Sequence, residues 1–213
     1  MIRKSLKDLK KGGYFEFGNY WQGASESEGK TPIEWVVASI KDNEALLISL
    51  YCVDCKQFNQ EKLSPIWKDS DIRKWLNEYF INEAFFDDEK SFIVEKSIIN
   101  KNEILVEGGS DSTLDKIFLL SIDEVKEYFS TNENRMAAPT KYAVSHNAYQ
   151  NTNYKTKEGK GTCYWWTRSI GNHFSNTHVA GVNYFGYIGF SGNIPTANNF
   201  AVRPAMWIKI NNF

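Results

Sequence analysis

YWWTRSIGNHFSNTHVAGVNYFGYIGFSGNIPTANNFAVRPAMWIKI, from Tyr164 to Ile210, is the segment around which the rest of the chain is organised. Two blocks rich in aromatic residues and arginine, Tyr164 to Ser169 and Val202 to Ile208, bracket a segment of different composition. Between Ile170 and Ala201 there is no Lys, Arg, Asp or Glu, and no Gln, Met, Trp, Leu or Cys. With 24% charged residues in the whole chain, a stretch of that length should carry about seven or eight. It carries instead six Asn, five Gly, two of the three His and the aromatics Phe174, Tyr184, Phe185, Tyr187, Phe190 and Phe200. Tyr and Phe offer large contact area at small entropic cost, while Asn, Ser and Gly offer adaptable hydrogen bonding, so this is the palette of a binding surface. The same residues also suit a Gly-rich meander of short strands and turns, because Asn and Gly supply positive φ.

The rest of the chain frames that segment. At 213 residues, 42% hydrophobic and 15% aromatic, it can bury a substantial core. A formal net charge of -1 gives no basis for a nucleic-acid face. There is no apolar run long enough to span a bilayer, and MIRKSLKDLKKGG at the start lacks the apolar core of a secretory signal. The expected location is therefore the cytoplasm or a phage particle. Cys52, Cys55 and Cys163 do not make a disulfide framework, and Cys52-Val-Asp-Cys55 lacks a second ligand pair, so the thiols read as reduced and structural and no metal or cofactor is expected.

Taken in order, Tyr14 to Phe17, Ile33 to Val37 and Ala45 to Leu50 read as strands, with a polar loop from Gln22 to Thr31. The third is apolar throughout, as in a strand buried on both faces. Ile72, Trp75, Leu76, Tyr79 and Phe80 form one helical stripe, capped by Asp69 or Ser70, with Arg73 and Asn77 on a solvated face. Phe86 to Ile93 reads as a short turn of helix, Asn100 to Ser112 as a loop and Lys116 to Leu120 as a strand. Ser121-Ile-Asp-Glu124 is a capping box opening a helix whose apolar face is Val125, Tyr128 and Phe129. Ser130 to Lys160 reads as irregular surface. No linker or repeat divides the chain, so a single α+β domain over 1–213 is expected. Catalytic signatures are thin: there is no phosphate-binding loop and no nucleophile elbow. Cys163 with His173 or His178 lacks a nearby orienting acid.

The paired blocks Tyr164-Trp-Trp-Thr-Arg-Ser-Ile-Gly171 and Val202-Arg-Pro-Ala-Met-Trp207 resemble those of a bacterial and phage domain-of-unknown-function family, whose members carry a WWLRSPG-type block, a variable stretch and a GVRPALWI-type ending. Phe15 to Gly18, Pro32 to Trp35, Leu46 to Ser49, Ser70 to Asn77 and Phe118 to Glu124 match the same family. Thr167, Ile170, Ala201 and Met206 depart mildly from its pattern. Some members look like variable proteins of diversity-generating retroelements, in which a reverse transcriptase randomises the adenines of a C-terminal coding segment. The resemblance implies a C-type-lectin-like fold, mostly short antiparallel strands with two main helices, that displays the segment 170–201. Randomised AAC or AAT codons cannot encode Lys, Glu, Gln, Met or Trp, and all five are missing from this window.

On that reading Ala180, Val182, Gly186, Ile188, Gly192 and Ile194 are scaffold. Trp165, Trp166, Arg168, Arg203 and Trp207 are supporting core and polar struts. The variable, ligand-contacting residues are Asn172, His173, Phe174, Ser175, Asn176, Thr177, His178, Gly181, Asn183, Tyr184, Phe185, Tyr187, Gly189, Phe190, Ser191, Asn193, Pro195, Thr196, Ala197, Asn198, Asn199 and Phe200, with the six aromatics as anchors. The expected function is non-catalytic binding of a protein or a surface glycan. The alternatives are a non-diversified lectin-like carbohydrate module and an oxidase of the formylglycine-generating type that would use Cys163.

Overall fold

The computed structural model describes residues 9–61, 64–101, 112–171 and 177–210. Its architecture is α+β with mostly antiparallel strands. Strands β1 (Tyr14–Trp21), β2 (Lys30–Lys41) and β3 (Glu44–Ser49) form an antiparallel meander. The turn between β2 and β3 is tight: Asp42 and Asn43 hold φ of 50° and 64°, the left-handed region that Asp and Asn tolerate best. The polar stretch after β1 folds into a short 3-10 turn, Glu26–Glu28, and β2 begins as early as Lys30, so the expected loop is shorter than its composition implies.

The amphipathic stripe forms one continuous helical run. Helix α1 (Asp71–Lys74) passes through a π-helical segment (Trp75–Phe80) into α2 (Ile81–Ala84). Ser70 caps it, its Oγ accepting from the Arg73 amide. Ile72, Leu76 and Phe80 face the core as expected. Arg73 and Asn77 are not solvated. Arg73 pairs with buried Asp115 at 2.6 Å, and Asn77 exchanges hydrogen bonds with the backbone of Lys116 and Ile117, so both tie the helix to a distant strand. Next come α3 (Asp87–Lys90), β5 (Ile93–Val94), the hairpin β6 (Lys96–Ile99) with β7 (Ser112–Asp115), and β8 (Ile117–Phe118).

Ser121 opens α4 (Ile122–Tyr128) through the capping box, accepting from the Glu124 amide while Glu124 accepts from the Ser121 amide. The region read as irregular surface holds α5 (Asn132–Arg135), α6 (Lys141–Ser145) and β9 (Asn151–Lys155), and it buries Ala137, Ala138, Tyr142, Ala143 and Ala148. Small alanines fill close approaches between backbones there, so a core role leaves little hydrophobic pattern in the sequence.

The two aromatic blocks build the centre. Strand β11 (Trp165–Ile170) lies in a five-stranded sheet of order β13-β12-β11-β14-β4, with β4 (Asp54–Cys55), β12 (Val179–Val182), β13 (Ile188–Asn193) and β14 (Ala201–Val202). Strand β15 (Ala205–Lys209) runs antiparallel to β3 inside the other sheet, of order β1-β2-β3-β15-β5, and β8 also pairs with it. A hairpin of β9 with β10 (Gly161–Thr162) completes the described strands. One buried hydrophobic cluster takes residues from both larger sheets and from the helical run, including Trp35, Trp67, Trp165 and Trp166.

Candidate functional site

The framework under the C-terminal segment is stiff for an identifiable reason. Trp165, Trp166, Arg168 and Arg203 are buried, and each polar end is satisfied. The Trp165 indole donates to the Arg135 carbonyl at 3.1 Å and that of Trp166 to the Lys56 carbonyl at 2.9 Å. Arg168 forms a bidentate pair with Glu124 and also donates to the carbonyls of Leu119 and Ile99 and to Asn100 Oδ1. Arg203 donates to the Ser49 carbonyl and lies over the rings of Phe129 and Trp165; burial lowers its pKa. Buried guanidinium groups bonded to backbone carbonyls in this way fix strand positions. Trp207 is half-buried, with Lys96 over its ring.

On this base the window divides by exposure. Ala180, Val182 and Ile188 are buried scaffold, as expected, and Val179 is buried with them. The turn after β12 is closed by Asn183, whose Oδ1 accepts from the amides of Phe185 and Tyr187 at 3.2 and 2.9 Å. Gly186 sits in that turn at φ 79°, and a Cβ there would lie 1.8 Å from the Asn132 carbonyl oxygen. Phe185, Tyr187 and Phe190 project outward, 36%, 53% and 41% exposed. Tyr184 is half-buried and leans on Tyr149, Tyr154 and Tyr164, with centroids 5.4 to 5.7 Å away. Tyr154, itself exposed, continues the ladder to Phe185 at 5.9 Å. Lys126 from α4 lies 5.0 Å over Phe190. The result is a row of rings along one edge of the five-stranded sheet, carried by β9, the 183–187 turn and β13.

Several expected contact residues are elsewhere. Phe200 is 7% exposed and stacks on Trp166 at 4.0 Å, so it is core rather than anchor, because its ring fills the space beside β11. Gly181 is buried under Phe200 and the Trp165 carbonyl, where a Cβ would come within 2.7 Å of the Phe200 ring; it is scaffold. Pro195 is buried as well, its carbonyl accepting from the Asn59 amide. Ile194, expected as scaffold, is 44% exposed. Gly189, Ser191, Asn193, Thr196, Ala197, Asn198 and Asn199 are at least partly accessible, and Thr177 and His178 are half-buried. Asn172, His173, Phe174, Ser175 and Asn176 lie outside the described residues. Tyr149, Tyr154 and Lys126 were not expected at the face, since their contacts come from separate elements and leave no spacing signal.

Cys52, Cys55 and Cys163 are free and buried. Burial pushes the Cys163 thiol up, and it donates to the Ala137 carbonyl, with Cys52 Sγ 3.5 Å away. Burial likewise raises Cys55 to about 12. Among the described residues no group of three His, Cys, Asp or Glu side chains is placed to hold a metal, and no helix is long and apolar enough to cross a membrane.

A family described as a domain of unknown function, DUF6273, matches residues 42–210, which takes in both aromatic blocks and everything between them. The chain belongs to the DUF6273 family. No curated protein and no solved structure matches it. The DUF6273 match therefore covers the five-stranded sheet, the helical run and the ring-bearing edge alike, while β1 and β2 precede it.

Proposed function

We propose that this DUF6273 protein is a non-catalytic binding protein that displays a diversified C-terminal surface, in the manner of retroelement variable proteins. The observation that carries the proposal is a coincidence of two properties on one segment. The window 170–201 lacks all five residue types that randomised AAC or AAT codons cannot encode, and within it Phe185, Tyr187 and Phe190 stand exposed on a buried, fully hydrogen-bonded frame. A turn-rich segment has no physical reason to exclude Lys, Glu and Gln together, since all three suit exposed loops. A soluble protein that keeps a contiguous row of exposed rings usually keeps it for a partner. The α+β architecture of short, mostly antiparallel strands is compatible with a C-type-lectin-like scaffold, and the bonded Trp and Arg struts suit a surface that must tolerate change without unfolding. The partner is a protein or a surface glycan, met through the ring-bearing edge.

The test is genetic. Flanking DNA is expected to hold a near-copy of the segment encoding 170–201, with adenines at the variable codons, beside a reverse-transcriptase gene. Deep sequencing of a population should then show variation at Phe185, Tyr187 and Phe190 and none at Gly181, Gly186 or Phe200, where packing forbids it. A lone gene with no such repeat, and no variation at these codons, sinks the diversification reading.

A further inference from the structure

A cavity of about 390 Å³ lies between β4, the start of α1 and the turn after α6, within the range of about 300 to 1,000 Å³ usual for small-molecule sites. Its wall includes His146, Lys56, Gln57, Gln60, Asp71 and Trp75. The organising group is the carboxylate of Asp54, 1% exposed, which gathers four donors. The Tyr20 hydroxyl donates to it at 3.2 Å and the Cys55 amide at 2.7 Å, Lys56 Nζ lies 3.3 Å away, and His146 Nδ1 lies 2.7 Å away. A carboxylate accepts, so Nδ1 is the donor towards Asp54, and the neutral tautomer that this contact selects carries its lone pair on Nε2. The ring is held against Tyr142 with centroids 4.1 Å apart. The side chain is still 36% exposed and lines the cavity.

His146 ends α6, and Asn147 follows at φ 80° as the left-handed residue just past its C-cap, a position that Asn fills readily. Asn147 donates its backbone amide to the Val144 carbonyl and its side chain to the Asn198 carbonyl. A core-filling histidine needs no buried, four-donor carboxylate behind it. Oriented imidazoles with carboxylate partners are built to present one nitrogen.

The charges select the ligand. Lys56 is already paired with Asp54, and Asp71 accepts from the Gln60 amide, so no unpaired cation is left to attract a phosphate or carboxylate. What remains is one acceptor nitrogen, the side-chain amide of Gln60, the amide oxygens of Gln57 and Asn147, whose NH2 groups already donate to the Thr196 and Asn198 carbonyls, and the apolar edge of Trp75. We propose that this cavity binds a neutral, hydroxyl-rich small molecule of monosaccharide size, one hydroxyl of which donates to Nε2 of His146. Asp54 is the positioning residue that fixes the tautomer. This site is separate from the ring-bearing edge and does not depend on that edge being diversified.

The experiment is a titration of the full chain with glucose, galactose, N-acetylglucosamine and inositol, and with inorganic phosphate as the contrasting probe, read by NMR at the His146 imidazole, assigned through its contacts to the Tyr142 ring. At least one of the neutral compounds should shift the His146 signals with an affinity of about 1 mM, near −4 kcal/mol, while phosphate leaves them unmoved. His146→Ala, followed at the indole signal of Trp75 in the same cavity wall, should weaken that affinity at least tenfold without abolishing folding, and Tyr187→Ala should leave it unchanged. If His146→Ala does not fold, the wild-type imidazole titration decides alone. The proposal is overturned if none of the neutral compounds moves the His146 signals, if phosphate moves them instead, if folded His146→Ala binds as tightly as wild type, or if Tyr187→Ala abolishes binding.

Discussion

At the scale of single residues, exposure divides the aromatic window into positions free to vary and positions that cannot. Tyr187 is half in solvent and carries no core contact, so Tyr187→Ala should change unfolding free energy by no more than about 0.5 kcal/mol. Phe200 fills the space beside Trp166, so Phe200→Ala should cost about 3–5 kcal/mol, a difference that urea melts resolve easily. Gly186 is stricter still. Gly186→Ala must adopt a left-handed φ and push away the Asn132 carbonyl, so it should lower the melting temperature clearly or prevent folding, whereas Gly189→Ala, with only an ordinary contact near its added carbon, should be nearly silent. Nothing in the local composition separates Phe200 from Phe190, or Gly181 from Gly189. The distinction lies in what crosses from β11 and from α5, segments remote in the chain.

Elements show which sequence signals survive folding. The capping box at Ser121 and Glu124 was legible because its partners are three residues apart, and it forms as read. Ser121→Ala should cost about 1 kcal/mol in a thermal or urea melt. Glu124 has a second task that its sequence neighbours do not announce, since its carboxylate also faces the buried Arg168 guanidinium. Glu124→Gln should therefore cost more than loss of the cap alone, about 3 kcal/mol, by leaving Arg168 without its counter-charge. The stripe at Ile72, Leu76 and Phe80 was equally legible, because helical spacing alone places those side chains on one face. The π-helical segment within it was not, and neither were the ties of Arg73 and Asn77, whose partners are about forty residues away. The segment from Ser130 to Lys160 was misread for a similar reason. Its core contribution is made by alanines and short helices, which carry no periodic hydrophobic signal.

For the whole molecule, the burial of weak acids gives a pH signature. Cys55 is raised to about 12 by desolvation first and by Asp54 second, and Tyr128 to about 12 by desolvation with Glu127 and Glu124. Tyr20 is raised further, again first by desolvation. Each folded-state value lies above its unfolded one, so the unfolded chain releases protons first as pH rises and stability falls. The loss should begin near pH 9, where an unfolded cysteine ionises, and continue towards about 12, at up to about 1.4 kcal/mol per pH unit for each group. Urea melts between pH 8 and pH 11 should show this decline, and a flat profile would contradict the burial. The same burial predicts that a thiol reagent labels none of the three cysteines quickly in the native protein and all three after denaturation.

The sequence by itself determined the helical stripe, the capping box and the composition of the 170–201 window, because helical periodicity, a cap whose partners are three residues apart and a run empty of charge are all written within a short span of chain. Tertiary structure alone decided which rings of that segment face water, that Tyr154 from β9 joins them, and that Asp54 stands behind His146. These are contacts between residues from about thirty to more than ninety positions apart, and only the packing of β9 and the end of α6 against the five-stranded sheet brings them within a few ångströms.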